Sequence, residues 1–138
     1  MPDDPQKTWN AYYDRIRRRR LTEAAQLWDE IEAAGGNEET VFVLDFVHFG
    51  NNPDDVAQLS RQLSENYTTE ISSRSEANYW DVRGTTRPEG ISLSRDQHAA
   101  WVEFMFDVAR SYACVFSGWK LEAPALGRTF QSANLDAA

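Results

Sequence analysis

Thr40-Val41-Phe42-Val43-Leu44-Asp45-Phe46-Val47-His48-Phe49, closed by Gly50-Asn51-Asn52-Pro53, decides the fold. Its apolar residues run almost unbroken and are mostly β-branched or aromatic, so the segment reads as a strand covered on both faces and central in a sheet. Three independent signals then open a helix. Asn52 supplies a cap, Pro53 suits the first helical position, and Asp54 and Asp55 put carboxylates at the positive helix end. Val56, Leu59 and Leu63 share one face of that helix, which is expected to reach about Tyr67.

Toward the C-terminus, Thr68 to Ser73 is a short polar strand whose only aliphatic residue is Ile71, which fits a sheet edge. A turn through Arg74-Ser75-Glu76 leads to the strand Asn78-Tyr79-Trp80-Asp81-Val82-Arg83, with Trp80 and Val82 on one face. Gly84 to Gly90 reads as loop, and Ser94-Arg95-Asp96-Gln97 as a capping box that starts a helix running to about Ala113. That helix carries two apolar stripes: Trp101, Phe104, Met105, Val108 and Tyr112, and beside them Val102, Phe106 and Ala109. A helix packed only on a sheet needs one stripe, so the second is expected to meet another helix. Cys114 to Lys120 returns as a last strand, and residues 123–138 show no periodicity and read as a loose tail.

Toward the N-terminus, Trp9, Tyr12, Tyr13 and Ile16 form one helical stripe, and Leu21, Ala24, Ala25, Trp28 and Ile31 a second. The five-residue step from Ile16 to Leu21 rotates one stripe from the other, which predicts either a helical hairpin or one long helix with a shifted face, ended at Gly35-Gly36. The aromatic stripe is the available partner for the second stripe of the later helix. The expected fold is therefore α+β: a helical extension over 1–36, then a ferredoxin-like β-α-β-β-α-β sandwich over 37–122, then the tail.

Charge narrows the function. The chain has 138 residues, 41% of them hydrophobic, and 14 basic against 22 acidic side chains, a net of −8. That balance opposes binding to duplex DNA or an anionic membrane and favours a basic partner. The one strong cationic cluster is Arg15 with Arg17, Arg18, Arg19 and Arg20, whose forks could pair with RNA phosphates or an acidic protein surface. Residues 1–34 hold six basic and seven acidic side chains, so the segment as a whole is near neutral and direct nucleic-acid binding is not expected. A single cysteine, Cys114, excludes an internal disulfide. With no apolar leader and no long apolar run, the expected setting is the cytoplasm.

Candidate chemistry is sparse. Asp45 and His48 stand three apart in a strand and so point to opposite faces, and His98, beside a helix start, is expected to be exposed and inert. The histidines lack metal-ligand spacing with a third ligand, so neither a metal, a cofactor nor an enzymatic activity is expected. Asp45, the one carboxylate in the opening strand, is expected to pair with Arg83 on the polar face of the neighbouring strand.

The opening strand through Asp45-Phe46-Val47-His48-Phe49, the helix from Pro53, the strand Tyr79-Trp80-Asp81-Val82, and the long helix running into Phe116-Ser117-Gly118-Trp119 together resemble the RraB-type regulators of ribonuclease E. The resemblance spans about residues 38–122 and departs from the family's pattern at Ser117 and Lys120. It implies a non-enzymatic protein that binds ribonuclease E outside the catalytic centre and lowers its activity on RNA. The alternative is an acidic interaction domain of the same fold with an unrelated partner, such as an antitoxin-like inhibitor. Partner contacts are expected at Asp54 and Asp55, on an exposed helix start, and around Trp119.

Overall fold

A computed structural model describes residues 5–73 and 78–132. The chain runs α1 (Pro5–Ala33), β1 (Val43–Gly50), α2 (Pro53–Leu63), β2 (Thr68–Ser73), β3 (Trp80–Thr85), α3 (Arg95–Ser111), β4 (Val115–Ala123) and, after a 3-10 turn at Pro124–Leu126, β5 (Arg128–Gln131). The architecture is α+β, with three helices and one five-stranded antiparallel sheet in the order β2-β3-β1-β4-β5. β1 is central, as its composition requires. The turn expected at Arg74-Ser75-Glu76 lies outside the described residues.

β1 is not equally covered on its two faces. Phe42, Leu44, Phe46 and His48 are fully buried, whereas on the other face Val43, Asp45 and Phe49 are half-buried and Val47 is 8% exposed. An alternation of period two is thus hidden inside an almost continuous apolar run. The even-numbered side faces the helices: Phe46 meets Trp101 of α3, and Phe42 meets Trp28 of α1. Phe46 also fixes where β3 ends. It lies opposite Gly84, where a Cβ would overlap the Phe46 ring, so glycine extends the strand under that ring instead of opening the expected loop.

α1 is one continuous helix of 29 residues. Its buried residues are Tyr13, Arg20, Glu23, Ala24, Leu27, Trp28 and Ile31, and with half-buried Arg17 filling the gap one row among them, Tyr13, Arg17, Arg20, Ala24, Leu27 and Ile31, has the spacing 4-3-4-3-4. The expected face shift disappears once Arg20 is counted as an inward position. Arg20 is 4% exposed, donates from Nε to the Phe116 carbonyl at 3.0 Å, and pairs through Nη1 with buried Glu23. Ala25, placed in the second stripe by its spacing, is exposed, and Leu27 takes the inward position.

α1 and α3 lie antiparallel. Asp29 meets Arg95 at the start of α3 (2.6 Å), Arg17 meets Glu103 (2.5 Å) and Asp107 (3.5 Å), and Asn10 accepts from Arg110 at its end (2.9 Å). Tyr13 packs edge-on against Phe106. The second stripe of α3, Val102, Phe106 and Ala109, is fully buried, whereas Phe104 from the first stripe is exposed. The capping box at Ser94 and Gln97 and the Asn52 cap form as their sequences require.

Residues 124–131 are not a loose tail. Leu121 pairs with Phe130, Phe130 is buried, and β5 covers the edge of β4 that a four-stranded arrangement would leave open. The four-residue strand is too short for a periodic signal, with only Phe130 turned inward. Residues 133–138 of the expected tail lie outside the described residues.

Candidate functional site

The polar residues singled out by sequence do not converge. Asp45 lies opposite Thr85, and Arg83 lies opposite Val47 on β1 and Glu70 on β2. The partner of Asp45 is Arg87, whose Nη2 reaches Asp45 at 3.3 Å and Glu122 of β4 at 2.6 Å. The Glu122 bond and then the Asp45 bond raise the Arg87 pKa. Arg87 stands beyond β3 in a segment that strand spacing does not place, which is why sequence points to Arg83 instead.

Both histidines are buried. His98, expected to be exposed, is held in the core: Trp119 Nε1 donates to its Nε2 at 3.0 Å, and its ring lies 5.5 Å from Trp28. Burial, and then Arg95, pull its pKa down to about 4. His48 sits between the Phe46 and Phe116 rings at 5.5 and 4.9 Å, and burial pulls its pKa down to about 3. Neither His48 nitrogen has a hydrogen-bond partner among the described residues, nor has the nearby hydroxyl of Ser117, the extra residue of a bulge in β4 opposite Val47 and His48. The Cys114 thiol is buried too, and desolvation with Asp55 pushes its pKa up to about 12.

Trp119 is 0% exposed and stacked on Phe116 at 5.4 Å, so the expectation that it borders a partner surface is corrected. Aromatic-x-Gly-Trp at a strand start carries no signal that separates a surface tryptophan from a core one. The arginine run is likewise dispersed. Arg20 is core, Arg17 is bridged to α3, Arg19 lies 3.8 Å from Glu23, and Arg18 is exposed. At the start of α2, Asn52 accepts from the Asp54 and Asp55 amides at 2.9 and 3.2 Å. Asp54 is exposed and Asp55 half-buried. Asp54 opens onto a shallow polar cleft with Gln58, Arg61, Gln62, Glu65 and Tyr112.

A groove that the sequence does not reveal lies where α1 overhangs the end of the sheet. α1 overhangs the end of α3, where Asn10 meets Arg110, and Trp9, on the same helical face as Tyr13, lines an open groove there and is 53% exposed. The expectation that Trp9 packs on α3 fails for that reason. Trp9, Tyr12 and Tyr13 form one wall, their ring centroids 5.7–5.9 Å apart, and Phe49 with Tyr79, edge to face at 5.7 Å, forms the other. The volume of this open groove is about 730 Å³. Lys7 and Arg15 flank it, and Gly50, Asn51, Ala113 and Val115 line the remainder. Ala113 has φ 56°, a left-handed conformation at the C-terminal end of α3 where glycine is usual.

Among the described residues no group of three or more His, Cys, Asp or Glu side chains could hold a metal ion, and no helix is long and apolar enough to cross a membrane. No protein-family model matches the chain, and no curated protein matches it either.

Proposed function

We propose that the chain is a non-enzymatic, cytoplasmic regulator that binds ribonuclease E, or a similarly basic RNA-processing protein, and lowers its activity on RNA. The observation that carries this reading is the fate of the arginine run. Arg20 and Arg17 are bonded inside the molecule and Arg19 lies 3.8 Å from Glu23, which reduces the cationic surface that the run offers to a phosphate backbone. Residues 35–138 hold 8 basic and 15 acidic side chains, a net of −7, so the surface outside α1 is acidic and complements an arginine-rich protein segment. The β-α-β-β-α-β portion is read as ferredoxin-like. The order β2-β3-β1-β4 with antiparallel neighbours supports that reading, and β5 is an addition to it. Competition is the mechanism this charge distribution favours: the acidic body covers arginines that would otherwise hold RNA.

Asp54 and Asp55 are the test positions. Reversal of both to Lys loses about 0.5 kcal/mol per residue of helix-dipole stabilisation, too little to unfold the domain. Association with immobilised ribonuclease E at low salt is expected to slow by about tenfold in the double reversal, and wild-type binding to weaken as salt rises. Wild-type binding that ignores both salt and the reversal would refute charge-driven recognition. No binding to ribonuclease E at any salt would refute the partner.

A further inference from the structure

β2 is an edge strand without the devices that usually blunt an edge. We propose that it pairs antiparallel with the β2 of a second copy of this chain, joining two five-stranded sheets across a two-fold axis at Ile71. This assignment does not rest on the ribonuclease reading and uses neither Asp54 nor Asp55.

The edge itself is the first observation. β2 pairs with β3 in one unbroken register from Thr68 to Ser73, and all of its residues except Thr69 are exposed. Its outer side thus presents a row of backbone donors and acceptors, a template for another strand. It contains no proline, no lysine and no bulge, the protections that such an edge commonly carries. The opposite edge of the sheet differs, since β5 has only four residues and packs against α1. Pairing of β2 with its own copy is isologous and closes at two chains, whereas pairing of β2 with β5 would propagate.

Charge selects a second copy over an arginine-rich segment as the occupant. On a chain of net charge −8, β2 has a single charged residue, Glu70, and that residue stands opposite Arg83 of β3. The edge is locally near neutral. It offers little to an arginine-rich strand, and two acidic chains meet there with less repulsion than elsewhere on their surfaces.

Parity and charge then fix the register. Directly opposed residues of an antiparallel pair share a face of the sheet, so a residue on the axis meets its own copy. Ile71 pairs with fully buried Val82 and so lies on the helix-bearing face, yet it is 42% exposed. With the axis at Ile71 the two isoleucines cover each other, Thr69 meets Ser73, and Glu70 meets Ser72. An axis at Glu70 would set two carboxylates face to face, and an axis at Ser72 would leave Ile71 opposite a serine. α2 leaves room for this arrangement. Its Ser60 hydroxyl lies 3.0 Å from that of Thr69, and Ala57, Ser60 and Ser64 follow one another along that flank, all small enough for the α2 of the second copy to approach.

The experiment measures the mass of the full chain by sedimentation equilibrium between about 1 μM and about 1 mM. A monomer–dimer equilibrium without higher species is expected. Ile71→Lys sets two like charges at the axis and should weaken association by about tenfold or more. Ile71 is exposed, and a melting temperature matching wild type establishes that the variant is folded. Under mild oxidation Ile71→Cys should cross-link two copies, because directly opposed Cα atoms about 4.5–5.5 Å apart fit a disulfide. Glu70→Cys should not, because it lies diagonal to its own copy at about 7–8 Å, but an equal mixture of Glu70→Cys and Ser72→Cys should. The native Cys114 thiol is buried and stays out of these reactions. A chain that remains monomeric throughout would overturn the proposal. So would a dimer whose affinity ignores Ile71→Lys, or Glu70→Cys cross-linking to itself as fast as Ile71→Cys. A monomer that binds an arginine-rich peptide and loses it on Ile71→Lys would give the edge to that partner instead.

Discussion

The two halves of α1 place a tryptophan on related faces of one helix and use them oppositely. Trp28, 3% exposed, lies against Phe42 and His98, with Leu27 and Ile31 completing the contact with the body. Trp9 continues the same helical face one turn before Tyr13 and is 53% exposed, where it walls an open groove at the end of the sheet. Helical periodicity reports which side chains share a face; it does not report how far the neighbouring element extends under that face. The C-terminal half of α1 is therefore part of the core, and the N-terminal half is the wall of a groove.

The sharpest test of that division is truncation of each tryptophan. Trp28→Ala is expected to cost about 3–5 kcal/mol, through lost burial and the cavity left behind. Trp9→Ala is expected to change stability by no more than about 0.5 kcal/mol, because an exposed ring leaves no cavity. Denaturant midpoints at unchanged m-values measure both. Equal losses would mean that the groove wall is a packed part of the core.

The arginines sharpen the same contrast. Arg20→Ala removes a buried ion-pair partner of Glu23 and the donor to the Phe116 carbonyl, for a loss of about 3 kcal/mol. The lower end of the usual range is expected because Arg19 remains 3.8 Å from Glu23. Arg18→Ala, two residues away and exposed, should stay within about 0.5 kcal/mol. A small effect at Arg20 would place the seam between the halves nearer to Ala24.

Much of this architecture is legible in the sequence, and the exceptions share physical causes. The Asn52-Pro53 and Ser94-Gln97 helix starts, the central place of β1 and the buried stripe Val56-Leu59-Leu63 come from local rules, since caps and periodicity act within a few residues. Side chains that reach across the fold are not legible in that way. Arg20 reads as surface charge until its acceptor, 96 positions on, is known; counted as core, it joins two stripes that otherwise look displaced. His98 reads as exposed until Trp119 supplies its donor. Asp45 takes Arg87 over Arg83 because the chain after β3 turns back toward Glu122. The groove is invisible in the sequence for a related reason: its walls come from residues 7–15, 49–51, 79 and 113–115, and only the fold sets them around one space.

Acid offers the last way to separate the core from the groove. His98 packs on Trp28, His48 lies at the centre of the sheet, and the groove lining contains no histidine among the described residues. Both histidines have folded-state pKa values far below the ordinary 6.5, at about 4 and about 3, so the unfolded chain binds protons that the folded one refuses. Their contribution is then fully present above about pH 6.5 and is lost as pH falls toward the folded values, by about 2 kcal/mol each at about pH 5. His48→Leu should remove about half of the acid sensitivity. It should cost little at neutral pH, because no described hydrogen bond is lost and a desolvated polar ring is replaced by an apolar side chain. His98→Leu should remove the other half but destabilise at neutral pH by about 1–3 kcal/mol, since the buried Trp119 indole N–H loses its acceptor. Acid titration of Trp28 and Trp9 indole signals completes the comparison: Trp28 should respond as the core loosens, before Trp9 moves. A wild-type stability flat from neutral pH to about pH 5 would mean that both imidazoles find a hydrogen-bond acceptor when they charge, and half the expected loss that one of them does, which the two variants identify.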